Sequence, residues 1–144
     1  MSELSGVESR IKSLFLDWEK PTLEQEMGEI ERTAEELGVP EEALLEAFNR
    51  AVLEDLNDHD WSIMVNCDSR DATWKLEEVR THLEGQRDFS QIEEGFKNNH
   101  KIPAPIVLFR FGHPPYLIGG NSRLLGCRAL HIQPKILALR LENE

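Results

Sequence analysis

The chain has 144 residues, of which 40% are hydrophobic and 30% charged, a composition that favours one compact domain and excludes an intrinsically disordered chain. Its formal net charge of −11, taken alone, disfavours a nucleic-acid-binding protein. No apolar run reaches the roughly 18–20 residues that cross a bilayer, and the N-terminus lacks the basic and apolar regions of a signal peptide. Two cysteines make neither a disulfide framework nor a four-ligand zinc set. We therefore expect a cytoplasmic protein that does not associate with membranes.

Three amphipathic helices are predicted in the first 58 residues. Apolar side chains recur at spacings of three and four over residues 4–20, 22–38 and 41–56. Thr22 is the predicted N-cap of the second helix and Gly38 its predicted C-cap. No catalytic motif falls in this region, so it reads as an acidic three-helix segment.

Charge divides the chain near Asn57–Asp60, a polar turn that we take as the boundary between residues 1–58 and 59–144. The first region contains 5 Lys and Arg and 16 Asp and Glu, whereas the second contains 11 of each. Within the second region, residues 95–141 contain no acidic residue and seven cationic ones. Two readings stay open: buried strands simply exclude carboxylates, or an anionic ligand binds there while the acidic region faces elsewhere. The acidic helices likewise read either as solvated surface or as a surface for a protein partner.

The second region has the pattern of a small α/β domain. In chain order the sequence predicts a strand at 61–66, helices at 73–83 and 89–99, a hairpin of strands 105–111 and 116–118, a helix at 123–130 and a buried strand at 135–141.

The segment that joins the hairpin to its helix has the pattern of a phosphate-binding loop. Gly119 and Gly120 let the backbone turn sharply and approach a ligand, and Asn121 or Ser122 is the expected helix cap. The first amides of the helix and its dipole form an anion site, to which Arg123 adds a forked donor matched to phosphate oxygens. The alternative is that the glycines and the cap only connect a strand to a helix and bind no ligand.

Residues 105–141, and above all the stretch YLIGGNSRLLGCRALHIQPKILAL, resemble the ParB/sulfiredoxin superfamily. The resemblance implies an α/β (α+β) fold with a mixed sheet, in which the loop amides and arginine bind the phosphates of a nucleotide. Members of this superfamily include CTP-binding partition proteins, nucleases, a free serine kinase and sulfiredoxins.

The chain departs from two branches of that superfamily. Sulfiredoxins read Gly-Gly-Cys-His-Arg at the loop, whereas this chain has Asn121 and Ser122 there, so the thiol nucleophile is missing. Cys127 lies well down the following helix and does not replace it. Partition-type proteins carry two arginines at the motif, where this chain has Arg123 alone, and a helix-turn-helix domain that this sequence does not contain. We therefore expect neither sulfiredoxin activity nor centromere-style DNA recognition.

Catalysis on a phosphate would require a general base or a metal beside the loop. Because residues 95–141 contain no carboxylate, the candidates Asp68 and Asp71 come from outside that segment, and each has the alternative role of capping the helix at 73–83. His113 in the hairpin turn is a candidate proton shuttle, with an inert exposed turn as the alternative. We find no recognised metal-ligand spacing, so no protein-bound metal is expected.

Three functional hypotheses follow. The first is a domain that binds a nucleotide or phosphate ester at residues 119–123, with NTPase or phosphotransfer activity and a nucleoside triphosphate with Mg²⁺ as the expected ligand. The second is a nuclease or DNA-backbone binder that uses the cationic segment 95–141. The third is a non-enzymatic interaction protein, in which residues 1–58 bind a partner.

Overall fold

The computed structural model describes residues 18–71, 73–82 and 101–141. The chain has an α+β fold with mixed sheets, as the sequence predicts. The helices, in chain order, are α1 (Leu23–Leu37), α2 (Glu41–Arg50), α3 (Asp58–Ser62), α4 (Leu76–His82) and α5 (Asn121–Leu130). The strands are β1 (Trp18–Glu19), β2 (Leu53–Asp55), β3 (Ile102–Pro103), β4 (Ile106–Phe109), β5 (Tyr116–Gly119) and β6 (Lys135–Arg140).

A four-stranded mixed sheet of order β2-β6-β4-β5 forms the centre of the molecule. The hairpin strands β4 and β5 are antiparallel, β4 and β6 are parallel, and β2 closes the other edge antiparallel to β6. The middle residues of β6, Ile136–Leu139, are buried because other elements cover both faces of the sheet. A second, two-stranded sheet pairs β1 with β3 in parallel.

The two faces of the large sheet bury separate sets of apolar side chains, because neighbouring residues of a strand point to opposite faces. Ile106 and Leu108 of β4 pack with residues of α1 and α2. Val107 faces the other side and packs with Leu124 of α5 and with Trp61. Helices therefore cover both faces, and residues on either side of the predicted boundary at 58 share one sheet.

The local signals around α1 and the hairpin are confirmed. The Thr22 side chain accepts a hydrogen bond from the Gln25 amide at 3.3 Å, as an N-cap does. Gly38 ends the helix in the left-handed conformation, with φ of 67°. The chain reverses at Phe111–Pro115 and pairs β5 with β4, as the hairpin pattern predicts.

Three predicted elements are corrected. The helix predicted at 4–20 does not include Trp18 and Glu19, which pair with β3, and its earlier part lies outside the described residues. The helix predicted at 41–56 ends at Arg50, because Ala51 turns extended and β2 gains main-chain pairing with β6. The strand predicted at 61–66 is replaced by α3 and a turn, from which only Val65 forms an isolated bridge to Tyr116.

The remaining elements are placed as follows. The helix predicted at 73–83 is present as α4 but begins three residues later, at Leu76, and its predicted last residue lies outside the described residues. The helix predicted at 89–99 also lies outside the described residues. In the part of the chain that the structure describes, no helix has the length and apolar character needed to span a membrane.

Candidate functional site

A cavity of about 700 Å³ opens where the last strand of the hairpin meets α5. Residues 117–123 form one wall, so all five residues of the Gly119–Arg123 loop line it. Helix α1 forms the opposite side, and the loop that follows α3 contributes residues 66–68 and Arg70. Three segments far apart in the sequence thus meet at the predicted phosphate loop.

Gly120 is the residue that turns β5 into α5. Its φ of 103° lies in the left-handed region, where a side chain is strained. A Cβ at this position would also lie 2.6 Å from the Cβ of Pro105, so only glycine fits between the strand and the helix. Gly120 occupies the N-cap position and the helix begins at Asn121, which corrects the prediction that Asn121 or Ser122 is the cap. The first helical amides therefore belong to Asn121, Ser122 and Arg123, and helix geometry leaves such amides without an intrahelical acceptor.

Asn121 connects the Gly119–Arg123 loop to Asp68. Its Oδ1 accepts a hydrogen bond from the Asp68 amide at 2.9 Å, and its Nδ2 donates to Asp68 Oδ2 at 2.9 Å. His82 of α4 binds the same carboxylate oxygen through Nε2 at 2.9 Å. The hydrogen bond from His82 and, after it, the bond from Asn121 hold the pKa of Asp68 below its ordinary value, although partial burial opposes them. Asp68 is thus an ionised carboxylate at the rim of the cavity at neutral pH.

Arg123 lies in the wall of the cavity with its guanidinium largely buried. It donates a short hydrogen bond from Nη1 to the Pro103 carbonyl, and its Nη2 lies 3.9 Å from Glu26 Oε1. The two side chains are only 13% and 12% exposed. Part of the arginine fork is therefore used by β3 and α1, and the side chain lines the cavity between them.

The charged side chains of the lining balance one another. Among the described residues that line the cavity, three are anionic and three cationic: Glu26, Glu29, Asp68, Arg32, Arg70 and Arg123. Glu29 and Arg32 form an ion pair on α1. Such a polar lining suits a charged, water-soluble ligand better than an apolar one.

Arg128 holds the loop that carries Asp68 and Arg70. Its Nε donates to the Ser69 carbonyl at 2.8 Å, and its Nη2 donates to the Arg70 carbonyl at 3.2 Å. The guanidinium carbon lies 3.5 Å from the centre of the Trp61 ring, a cation–π contact, and Trp61 Nε1 donates to Ser69 Oγ at 2.7 Å. These contacts hold the loop against α5, through one buried hydrogen bond, one that is partly buried and one that is exposed.

Neither cysteine has the environment of a nucleophile. Cys67 lines the cavity, but it is buried, and the desolvation raises the pKa of its thiol in spite of a contact with Ser69 Oγ at 3.1 Å. Cys127 is fully buried in α5, and this burial strongly raises the pKa of its thiol. Both thiols are therefore protonated at neutral pH.

The other two candidate catalytic residues do not line the cavity. Asp71 Oδ1 accepts hydrogen bonds from the amide and the hydroxyl of Thr73 at 2.8 and 2.7 Å, and these bonds lower the pKa of Asp71. These bonds hold a turn ahead of α4, which begins at Leu76, and so differ from the alternative role of capping a helix that begins at Thr73. His113 is exposed in the hairpin turn. Of the three candidates, the structure brings only Asp68 to the cavity that the Gly119–Arg123 loop lines.

The acidic first region neutralises much of the acid-free segment. Four cations of residues 101–141 form ion pairs with acids of residues 26–58: Arg123 with Glu26, Arg128 with Asp58, Lys135 with Asp55, and Arg140 with Glu54. The absence of carboxylates from residues 95–141 therefore does not by itself indicate a ligand surface, since the compensating charges come from elsewhere in the chain.

Sequence reasoning missed the side chains that α1 contributes. Glu26 is buried on the same helix face as Ile30 and Thr33, at the spacing of four and seven residues that marks a packed stripe. A carboxylate on a packed stripe was the available signal, but the many acidic residues of this region concealed it. Arg70 carried no signal, because only the folded loop places it at the cavity.

The chain was compared with protein-family models, with curated proteins and with solved structures, and no match was found. Within the described residues, no three His, Cys, Asp or Glu side chains converge as a metal site would require. Among the described residues, the cavity is therefore the feature that bears on function.

Proposed function

We propose that this chain is a ParB/sulfiredoxin-like domain that binds a nucleotide or another phosphate ester in the cavity at Gly119–Arg123. The observation that carries the proposal is that the whole glycine–arginine loop, at the start of a helix, lines a cavity of about 700 Å³. Cavities of roughly 300–1,000 Å³ are the usual size for small-molecule ligands.

The phosphate is expected at the first turn of α5, where helix amides and the helix dipole favour an anion. Arg70, which is exposed at the cavity, is positioned to approach the same anion, because the Arg128 contacts hold its backbone. Since the charged lining side chains balance, a ligand whose negative charge is partly compensated, such as a nucleoside triphosphate with Mg²⁺, suits the cavity better than a bare polyanion.

NTPase or phosphotransfer activity is part of this proposal through Asp68. Its carboxylate lies at the cavity rim and is ionised at neutral pH, so it is available as a base or as a ligand for a nucleotide-bound Mg²⁺. The DNA-backbone hypothesis receives less support, because Arg123, Arg128, Lys135 and Arg140 already face acidic side chains of this chain.

The test is a thermal-unfolding panel with ATP, CTP, GTP and a short DNA duplex, each with and without Mg²⁺. A ligand present at about 100 times its dissociation constant stabilises the fold by roughly 2.7 kcal/mol. Arg70→Ala is expected to weaken phosphate binding by about tenfold or more, the contribution of one charge-assisted hydrogen bond.

Lys101→Ala is the matched control, because Lys101 is an exposed cation that does not line the cavity. Equal losses in the two variants would indicate general electrostatics rather than a site. If no nucleotide shifts the unfolding temperature, the proposed function is wrong, and a partner of the acidic helices becomes the hypothesis to pursue.

A further inference from the structure

Glu26 places a buried carboxylate in the wall of the cavity, beside the loop at which we expect the phosphate. Its Oε2 lies 3.2 Å from the position that a Cβ on Gly119 would occupy, and its Oε1 lies 3.9 Å from Arg123 Nη2. The side chain is 12% exposed, whereas Glu29, the next acid of α1 on this cavity, is 38% exposed and paired with Arg32. A buried carboxylate therefore lies in the wall of the cavity beside the glycine loop.

A carboxylate in this position affects different ligands in opposite ways. A phosphate dianion close to Arg123 has to share that guanidinium with Glu26, and the repulsion between the two anions is weakly screened because both groups are buried. A hydroxyl group, in contrast, donates to the carboxylate and forms a charge-assisted hydrogen bond. The two oxygens of one carboxylate match two neighbouring hydroxyl groups.

We propose that Glu26 determines which phosphate compounds the cavity accepts, by binding the neighbouring hydroxyl groups of a sugar phosphate and by disfavouring phosphate that lacks them. The inference rests on the proposed function, and it narrows the ligand class to phosphate esters of a sugar or polyol. The phosphate lies against the first turn of α5, and the hydroxyl groups lie against Glu26 of α1.

The experiment compares three probes by isothermal titration calorimetry on the full chain: 5′-AMP, 2′,3′-dideoxy-AMP and inorganic phosphate. The wild-type protein is expected to bind 5′-AMP at least about tenfold more tightly than the dideoxy compound, since hydrogen bonds to a charged group have that weight. In Glu26→Gln this ratio falls to about threefold or less, because the remaining bond is to a neutral amide. The same variant binds inorganic phosphate more tightly than the wild type does.

Glu29→Gln is the matched control, because it removes one negative charge from the same helix and the same cavity. It is expected to leave the ratio of the two nucleotide affinities unchanged. Far-UV circular dichroism and an unfolding curve establish that each variant folds. Should Glu26→Gln not fold, Glu26→Asp withdraws the carboxylate by one methylene and is expected to lower the ratio in the same direction.

The outcomes separate the two proposals. An unchanged ratio in Glu26→Gln, with phosphate compounds still bound, overturns the role of Glu26 and leaves the phosphate site standing. An equal loss in Glu29→Gln also overturns it, because the effect would then be one of net charge. Failure of the wild-type protein to bind any of the three probes overturns this inference, whereas the proposed function is overturned only if no nucleotide, with or without Mg²⁺, shifts the unfolding temperature.

Discussion

The substitution Gly120→Ala is expected to destabilise the fold more than any other glycine-to-alanine change at a position described above. Two costs add at this residue. Its φ of 103° imposes a left-handed conformation on alanine, which costs about 1–2 kcal/mol. The new Cβ would lie 2.6 Å from the Cβ and 2.7 Å from the Cα of Pro105, and such overpacking costs about 1–3 kcal/mol.

Pro105 has little freedom to relieve this contact. Its ring is rigid, and its carbonyl accepts a hydrogen bond from the Leu137 amide of the central strand at 2.8 Å. The two costs together amount to about 2–5 kcal/mol, a large part of the roughly 5–15 kcal/mol that stabilises a typical protein. For a chain of this size each kcal/mol lowers the unfolding temperature by about 3 °C.

Two other glycines separate the contributions in the same assay. Gly112 also has a positive φ, of 78°, but no atom lies within 4 Å of its virtual Cβ, so Gly112→Ala is expected to show the backbone cost alone. Gly28 lies inside α1 with open space around it, and Gly28→Ala is expected to stabilise the fold by about 0.5–1 kcal/mol. The measurement is denaturant unfolding of all three variants. If Gly120→Ala loses no more stability than Gly112→Ala does, the argument from the Pro105 contact is refuted.

Two further predictions concern titration. Burial and a hydrogen bond from its hydroxyl to Glu36 Oε2 at 2.6 Å raise the pKa of Tyr116 to about 12. Because Tyr116 is the only tyrosine, an ultraviolet absorbance titration is expected to show a single midpoint near that value. The neutral phenol then contributes fully to stability below pH 10, and this contribution is lost as the pH rises through about 12. A midpoint near 10 would contradict the hydrogen bond to Glu36. The pKa of Asp68 is lowered chiefly by the hydrogen bond from His82. The wild type is therefore expected to be more stable than Asp68→Asn above the ordinary carboxyl pKa, and to lose this advantage as the pH falls through the lowered pKa. Unfolding midpoints of the two proteins across acidic pH measure the difference. A constant difference at every pH would exclude ionised Asp68 as its cause.

The local signals in the sequence predicted the elements that local chemistry determines. Thr22 and Gly38 mark the ends of α1 because caps are recognised from a few neighbouring residues. The hairpin and β6 were predicted for the same reason, since turn residues and continuous apolar runs are read directly from the chain.

The elements that were missed depend on partners distant in sequence. Val52 and Leu56 continue the helical spacing of α2, yet Val52 is 62% exposed, because the chain leaves the helix to pair β2 with β6. Similarly, the run from Trp61 to Asn66 has strand-like composition, but Asn57 caps a short helix there, with Oδ1 accepting from the Asp60 amide at 2.8 Å. At both segments the choice between helix and strand depends on where the large sheet lies in the fold, and the local sequence does not contain that information.

The candidate site divides in the same way. The glycine loop and Asp68 were predicted, because one has a recognisable pattern and the other follows from the need for a carboxylate outside the acid-free segment. Glu26 and Arg70 were not predicted, since their places in the cavity depend on where α1 and the loop after α3 meet. The cap was assigned to the wrong residue because the close approach of Pro105 requires glycine at position 120.

The way the cavity is assembled has a consequence for folding. Asn121 and Asp68, which meet at its rim, are 53 residues apart in sequence, and Arg140 and Glu54, which pair across the sheet edge, are 86 apart. Contacts of such high sequence separation form late and slowly, because the entropy of closing a long loop is lost before the contact contributes any stabilising free energy. No short fragment of the chain contains the cavity, so a bound ligand is expected to retard global unfolding rather than protect one segment. Ligand binding would thus report, in a refolding experiment, the moment at which the whole chain has reached its native topology.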